Sequence, residues 1–225
     1  MDNLPTHIGI IADGNRRWAK AHNLPTIEGH RRGMKAIEDL VEGIAKAGIP
    51  FATFYVFSTE NWNRSEEEVS YLMKLFTTKI LSLAEKMAKN NIKLLFLGGK
   101  NGLNDELSKL IDEAEQLTGA CTGSTICFCF NYGGEQEIAD AANAALKNDG
   151  EITTATIAKN LYHPEVPPVD IIVRTSGEQR ISGFMLWRAA YSEFLFLDKY
   201  FPEMTAADVP LIIDEYKNRN RRFGR

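Results

Sequence analysis

The chain has 225 residues, of which 44% are hydrophobic and 25% are charged. These values exclude a disordered or collagen-like chain and indicate one globular domain spanning residues 1–225. Its 26 Lys and Arg residues against 30 Asp and Glu residues give a net charge of −4. Because general nucleic-acid-binding proteins are usually basic, we expect no nucleic-acid partner.

Six short apolar runs predict β-strands, and most of the segments between them have the period of amphipathic helices. The predicted strands are His7–Ala12, Ala52–Ser58, Ile92–Leu97, Thr125–Asn131, Val169–Arg174 and Phe194–Leu197. The predicted helices are Gly33–Ala47, Glu66–Met87, Asn104–Leu117, Glu135–Lys147 and Ala206–Asn220. Strands alternating with helices predict an α/β fold with a central, mostly parallel six-stranded sheet flanked by helices.

The cysteines and the apolar runs indicate a cytoplasmic protein. Cys127 and Cys129 alternate within the fourth predicted strand, and Cys121 completes no metal-binding pattern with them. We therefore expect buried, reduced thiols. No apolar run approaches the ~18 residues of a membrane span, and Ile8–Ala12 is too short for a signal peptide.

Candidate binding residues collect where the predicted strands end. In a doubly wound sheet, ligands bind beyond the carboxyl ends of the strands. Arginines, small residues and a few acids follow these ends, whereas the opposite edge has nothing comparable. Residues 13–35 contain six Lys and Arg residues against two acids. A basic cluster in an acidic protein indicates a localised anionic ligand.

The segment after the first strand is a candidate diphosphate site. Gly14 and Asn15 lead into a predicted helix whose free N–H groups, with Arg16 and Arg17, would bind phosphate oxygens. The alternative is that Asp13 caps this helix and that both arginines are solvated.

Three further arginines and two acids extend this candidate site. Arg64, Arg174 and Arg180 follow two other strands and could form a second phosphate site. Asp13 and Glu193 are candidate ligands for a hard cation such as Mg²⁺, which bridges phosphate oxygens. The chain has neither the G-x-G-x-x-G nor the P-loop pattern, so nicotinamide and P-loop enzymes are excluded.

Seven segments have a recognisable order and spacing. They are His7–Trp18, Gly29–His30, Phe57–Arg64, Asn131–Gly134, Arg174–Glu178, Arg180–Ser182 and Arg221–Gly224. Together they resemble the cis-prenyltransferases, and the resemblance covers nearly the whole chain.

The resemblance implies a homodimeric enzyme that adds isopentenyl diphosphate to an allylic diphosphate such as farnesyl diphosphate, with Mg²⁺ as cofactor. Each addition would form a cis double bond. The expected product is the undecaprenyl-type precursor of the carrier lipid for cell-wall synthesis. Because such a product is insoluble in water, we expect transient contact with the inner face of the membrane.

The resemblance also implies individual roles. Asp13 would bind Mg²⁺ and help the allylic diphosphate leave, and Glu193 would complete the metal site across the dimer. Asn61 would accept a proton, or it would orient the substrate while a phosphate oxygen accepts the proton. The allylic diphosphate would contact Gly14, Asn15, Arg16, Arg17, Trp18 and His30. Other substrate contacts would come from Ser58, Thr59, Glu60, Trp62 and Arg64, and isopentenyl diphosphate would be held by Arg174, Arg180, Ile181 and Ser182.

Three positions depart from the family pattern and bear on product and primer. Thr26 stands where many members have an arginine directed toward the allylic diphosphate, and Gln179 stands where a histidine is usual near the metal. Val56 is bulkier than the usual alanine on the wall of the hydrocarbon tunnel, which the Glu66–Met87 helix would also line. The alternatives are a short-chain or irregular prenyl diphosphate synthase, a non-catalytic partner subunit, or a phosphate-ester hydrolase.

Overall fold

A computed structural model describes residues 4–219, and one six-stranded sheet runs through its centre. The strands are β1 (His7–Ile11), β2 (Phe51–Ser58), β3 (Lys93–Leu97), β4 (Thr125–Tyr132), β5 (Ile171–Arg174) and β6 (Glu193–Phe196). Their spatial order is β3-β4-β2-β1-β5-β6, and every neighbouring pair is parallel. The predicted α/β architecture is confirmed.

Helices flank the sheet, and most of them lie where the periodicity predicted them. They are α1 (Asn15–Ala21), α2 (Thr26–Lys46), α3 (Glu66–Lys89), α4 (Asp105–Thr118), α5 (Gly134–Asp149), α6 (Thr154–Lys159) and α7 (Asp208–Lys217). A short 3-10 turn, Thr59–Asn63, connects β2 to α3 and is called the 59–63 turn below. Helix α2 begins at Thr26 instead of Gly33, because Pro25 stands at its N-cap with the backbone already extended. The short helix α6 was not predicted, and the Arg221–Gly224 segment lies outside the described residues.

The core has a layer on each face of the sheet, so the central strands are buried on both sides. All eight residues of β4 are buried, including Cys127 and Cys129 at 0% exposure. Burial raises the pKa of the Cys127 thiol to about 12. Both thiols are therefore inert, as the sequence predicted.

Helix α3 packs on the sheet with only part of its length. The side chain of Ser65 caps the helix by accepting a hydrogen bond from the Glu68 backbone N–H. Phe76, Ile80 and Leu83 are buried, whereas Leu72, one turn earlier, is only partly buried. The first turns of α3 thus leave space between the helix and β2. Within residues 4–219, no helix combines the length and apolarity needed to cross a bilayer.

Candidate active site

A cavity of about 950 Å³ lies at the carboxyl edge of the sheet, where β1, β2 and β5 end side by side. Ten of the residues predicted from the sequence line it: Asp13, Gly14, Asn15, Arg16, Arg17, His30, Ser58, Asn61, Arg64 and Arg174. Apolar side chains also line it, among them Val56 and Leu72. The cavity therefore combines cationic and hydrocarbon-like walls.

Asp13 stands at the centre of the charged side chains that line the cavity. Its carboxylate lies 2.9 Å from Arg174 Nη2 and 3.1 Å from Arg17 Nη2. Partial burial opposes its ionisation, but these two arginines outweigh that effect and hold the pKa of Asp13 below its usual value. Helix α1 has no side-chain cap, so the alternative in which Asp13 caps it is not what the structure has.

The ion pairs continue from Asp13 to the segment that follows β5. Arg17 lies 2.8 Å from Glu178, which also pairs with Arg180. Arg174 Nη1 donates to the backbone carbonyl of Arg180 and, at 2.9 Å, to Ser182 Oγ. The two predicted phosphate sites are therefore parts of one connected group of charges.

Glycine allows the backbone after β1 to approach its neighbours closely. Gly14 has φ +103°, and a Cβ there would lie 1.9 Å from Ser176 Oγ. A Cβ on Gly29 in α2 would lie 2.0 Å from the carbonyl oxygen of Asn15. This close packing of α1 on α2 leaves the Asn15 side-chain oxygen buried without a hydrogen-bond partner. That oxygen faces Gly33 of α2, where a Cβ would lie 2.5 Å from it.

Glu68 is a charged group of the site that sequence reasoning missed. Its carboxylate lies 3.1 Å from His30 Nε2, 3.0 Å from Arg64 Nη1 and 3.9 Å from Arg16 Nη1. Burial lowers the pKa of His30 in spite of the Glu68 hydrogen bond, so the imidazole is neutral at pH 7. In the sequence, Glu68 is an acid in the first turn of α3, four residues after Arg64. That spacing indicates the pair with Arg64, but nothing in the sequence indicates His30 or Arg16 as partners.

The 59–63 turn carries Asn61 to the cavity. The Ser58 backbone N–H donates to Asn61 Oδ1 at 3.2 Å, and this bond closes the turn. Thr59 and Trp62 line a separate cavity of about 400 Å³ on the outer side of the turn. The Thr59 hydroxyl donates to the Glu60 carboxylate at 3.3 Å.

Eight predicted residues do not line the main cavity: Trp18, Thr59, Glu60, Trp62, Arg180, Ile181, Ser182 and Glu193. Trp18 packs on His22 with ring centroids 4.4 Å apart, and Ile181 packs against the second layer of the core. Glu193 is the first residue of β6 and aligns with Ile171, so it lies at the amino edge of the sheet. Within one chain, Glu193 and Asp13 are therefore at opposite edges.

The donors around Asp13 fit a magnesium ion bound together with phosphate. Among residues 4–219, no group of three or more His, Cys, Asp or Glu side chains forms a ready-made metal site. Mg²⁺ does not need one, since it commonly uses one or two carboxylates and takes its other ligands from water and phosphate. The Asp13 carboxylate supplies hard oxygen donors on the wall of the cavity.

The fold and the cavity define an α/β protein with a charged and partly apolar cavity beyond the carboxyl ends of parallel strands, the place where this architecture binds ligands. Residues 11–224 match the model of a family described as putative undecaprenyl diphosphate synthase. The chain therefore belongs to this prenyltransferase family.

Three relatives illustrate the range of the family. The chain is 44% identical to a ditrans,polycis-undecaprenyl-diphosphate synthase ((2E,6E)-farnesyl-diphosphate specific) of Vibrio parahaemolyticus, over 99% of this chain and 92% of the relative. It is 41% identical to a trans,polycis-polyprenyl diphosphate synthase ((2Z,6E)-farnesyl diphosphate specific) of Thermobifida fusca, over 98% and 81%. The crystal structure of lavandulyl diphosphate synthase from Lavandula x intermedia, in complex with dimethylallyl diphosphate, superposes with a TM-score of 0.93 at 31% identity and covers 99% of both chains.

Proposed function

We propose that the chain is a Mg²⁺-dependent cis-prenyltransferase that condenses isopentenyl diphosphate with an allylic diphosphate such as farnesyl diphosphate. The observation that carries this proposal is the mixed lining of the main cavity. Arginines and Asp13 line it together with the apolar side chains of Val56 and Leu72. This arrangement suits a substrate made of a diphosphate and a hydrocarbon chain.

The proposed reaction begins with heterolysis of the allylic C–O bond, and its electron pair leaves with the diphosphate. The alkene of isopentenyl diphosphate then forms the new C–C bond, and the resulting cation loses a proton to form the new double bond. Arg16, Arg17 and Arg174 stabilise the charge that develops on the leaving diphosphate. A magnesium ion held by Asp13 would neutralise part of the same charge.

The geometry of Asn61 favours an orienting role over that of the proton acceptor. Its Oδ1 already accepts a hydrogen bond from the Ser58 backbone N–H. An amide is also a very weak base. The Asn61 NH₂ group can donate to a phosphate oxygen of isopentenyl diphosphate, and a phosphate oxygen then accepts the proton.

The Vibrio relative supports an undecaprenyl-type product, but one feature favours a shorter product as a second candidate. Phe76 lies one turn after Leu72 along α3. Its ring stacks on Phe130 with centroids 4.0 Å apart and meets Phe96 edge-on at 5.8 Å. These rings fill the space between α3 and the sheet. A hydrocarbon that grows past Val56 and Leu72 would therefore have to displace them.

The test is incorporation of radiolabelled isopentenyl diphosphate with farnesyl diphosphate and Mg²⁺, with products sized by chromatography. We expect wild type to be active and both EDTA and Asp13→Ala to abolish incorporation. Asp39→Ala is the matched control, because Asp39 also forms an ion pair, with Lys35 at 2.7 Å, but lies outside the cavity. Long products support the carrier-lipid function, one or two additions support the short-chain candidate, and no incorporation with any primer contradicts both.

The proposal includes a homodimer, because Glu193 can approach Asp13 only from a second copy. Mixing Asp13→Ala and Glu193→Ala chains tests this arrangement. In a mixed dimer, the intact Asp13 of one chain would meet the intact Glu193 of the other. Activity should return on mixing two inactive variants, and its failure to return would contradict a shared site.

We also propose that the enzyme is cytoplasmic and releases its product at the inner face of the membrane. A long polyprenyl chain is insoluble in water, since each buried CH₂ contributes about 0.8 kcal/mol. Co-sedimentation with liposomes should therefore increase when the enzyme carries its product. Equal sedimentation with and without product would contradict this step.

A further inference from the structure

Asn131 has an unusual backbone conformation at the end of β4. It is 6% exposed and has φ +50°, in the left-handed region. Phe57 aligns with Phe130 and Ser58 aligns with Tyr132, so Asn131 has no residue opposite it in β2. This irregularity is a β-bulge, which redirects a side chain. Asparagine is among the few residues that tolerate this backbone region.

The bulge directs the Asn131 amide to two neighbouring segments. Its Oδ1 accepts a hydrogen bond from the Trp62 indole N–H at 2.7 Å. Its Nδ2 donates to the carbonyl oxygens of Gly99 at 2.7 Å and Asn101 at 2.9 Å. One buried amide thus joins the 59–63 turn to the loop that follows β3.

Packing alone does not fix the Trp62 ring. One side of the ring meets Phe57 edge-on, with centroids 5.0 Å apart. On another side, Trp62 and Asn131 line the outer cavity of about 400 Å³, and Trp62 remains 38% exposed. The ring therefore has room to move, and the bond to Asn131 is the directional contact that opposes this movement.

We infer that Asn131 is a positioning residue for prenyl transfer. By holding the Trp62 indole, Asn131 fixes the 59–63 turn. Asn61, the residue before Trp62, accepts the hydrogen bond from Ser58 that closes this turn. Ser58 and Asn61 both line the main cavity, whereas Asn131 does not. This inference rests on the proposed function, because the effect is exerted on the turn that meets the substrate.

The first test is a double-mutant cycle of Asn131→Gly and Trp62→Phe. Glycine keeps the left-handed backbone, and phenylalanine keeps an aromatic ring but removes the indole N–H. We expect Asn131→Gly to lower kcat about 10-fold, because the 59–63 turn is misplaced. Both KM values should stay within about twofold, because the arginines that bind the diphosphates are unchanged. The double variant should be no slower than the slower single variant. Effects that multiply would overturn the proposal.

Asn91→Gly is the matched control, because Asn91 also has φ +56° and accepts a hydrogen bond from the Thr122 backbone N–H at 2.9 Å. Asn91 precedes β3 at the amino edge, so this variant should lose stability without losing kcat. An equal loss of kcat in Asn91→Gly would reduce Asn131 to a general structural role.

A second readout does not depend on activity. The Trp62 indole N–H resonance can be assigned by its loss in Trp62→Phe, and its hydrogen exchange can then be measured. We expect exchange to be about 10-fold faster in Asn131→Gly and unchanged in Asn91→Gly. Unchanged exchange in Asn131→Gly would overturn the proposal. If exchange accelerates but wild type transfers no prenyl group, the proposed function fails and the Asn131–Trp62 contact stands.

Discussion

The two edges of the sheet both contain buried polar groups, but only one edge leaves them open to a ligand. At the carboxyl edge, Asp13 and Arg174 pair with each other on the wall of a large cavity. At the amino edge, His7 is 0% exposed, and its two ring nitrogens meet the Pro167 carbonyl at 2.8 Å and Thr53 Oγ1 at 2.7 Å. Polar groups beside open space can exchange partners, whereas enclosed groups can only hold the fold.

Unsatisfied atoms sharpen this contrast. Among residues 4–219, the buried side-chain polar atoms without a partner are Asn15 Oδ1 and Arg174 Nε, and both residues line the main cavity. A buried polar atom left unpaired costs about 1–3 kcal/mol. These two unpaired atoms therefore cost stability at the carboxyl edge, whereas both ring nitrogens of His7 at the amino edge have partners.

After the loss of activity expected for Asp13→Ala, the largest effect is expected for Asn61→Ala, also at the carboxyl edge. We expect kcat to fall on the order of 100-fold and KM for isopentenyl diphosphate to change by less than about threefold, because orientation is lost while the arginines remain. Steady-state kinetics checks this expectation. Asn104→Ala is the matched control: Asn104 caps α4 by accepting from the Leu107 N–H at 2.8 Å, outside the main cavity. A raised KM with unchanged kcat would contradict the orienting role.

The second effect is a pH dependence that arises at the amino edge. Burial lowers the pKa of His7 to about 4, from 6.5 in the unfolded chain. Between these values, the unfolded chain binds a proton that the folded chain excludes. Stability is therefore complete above pH 6.5 and falls as the pH drops toward 4, by on the order of 3 kcal/mol.

Urea unfolding of wild type and His7→Gln from pH 7 to pH 4 measures this contribution. The variant is less stable at pH 7, but its free energy of unfolding should fall less steeply with decreasing pH. His22→Gln is the matched control, since His22 is exposed on the surface and hydrogen-bonds to the Trp18 carbonyl at 2.8 Å. Parallel pH profiles for wild type and His7→Gln would show that His7 does not carry the effect.

The sequence predicted the carboxyl edge better than it predicted the contacts within it. Asp13 and Asn61 follow β1 and β2, and Arg174 is the last residue of β5. Because these strands are neighbours, the rule for parallel sheets placed all three residues in one cavity. Strand positions were predicted within a few residues, because apolar runs as long as a buried strand are a strong signal.

The missed features depend on three-dimensional placement. Glu68 meets His30 because α2 and α3 pack together, and no spacing within α3 encodes that contact. Arg64, in contrast, is a local partner that lies four residues before Glu68. The role of Asn131 depends on a bulge, and a bulge shifts the register without changing the pattern of apolar residues. Glu193 was predicted as a ligand for a hard cation, and only the strand register shows that it begins β6 at the amino edge.

The smallest effect is expected for Thr26→Arg, which adds a charge to the open edge. Thr26 is exposed, begins α2 and lines the main cavity between Pro25 and His30. An arginine there would attract the allylic diphosphate, and we expect its KM to fall about threefold at low salt, with the KM of isopentenyl diphosphate unchanged. The gain should shrink as salt rises, because the new charge is exposed to solvent.

Thr154→Arg separates this local effect from the added net charge. Thr154 is likewise exposed and begins α6, but it lies outside the main cavity. If Thr154→Arg lowered the KM as much as Thr26→Arg, general attraction of anions would explain the gain. A gain confined to Thr26→Arg and lost at high salt would instead show that an arginine added at the carboxyl edge can bind the substrate phosphate, because the charged side chains of this edge face open space.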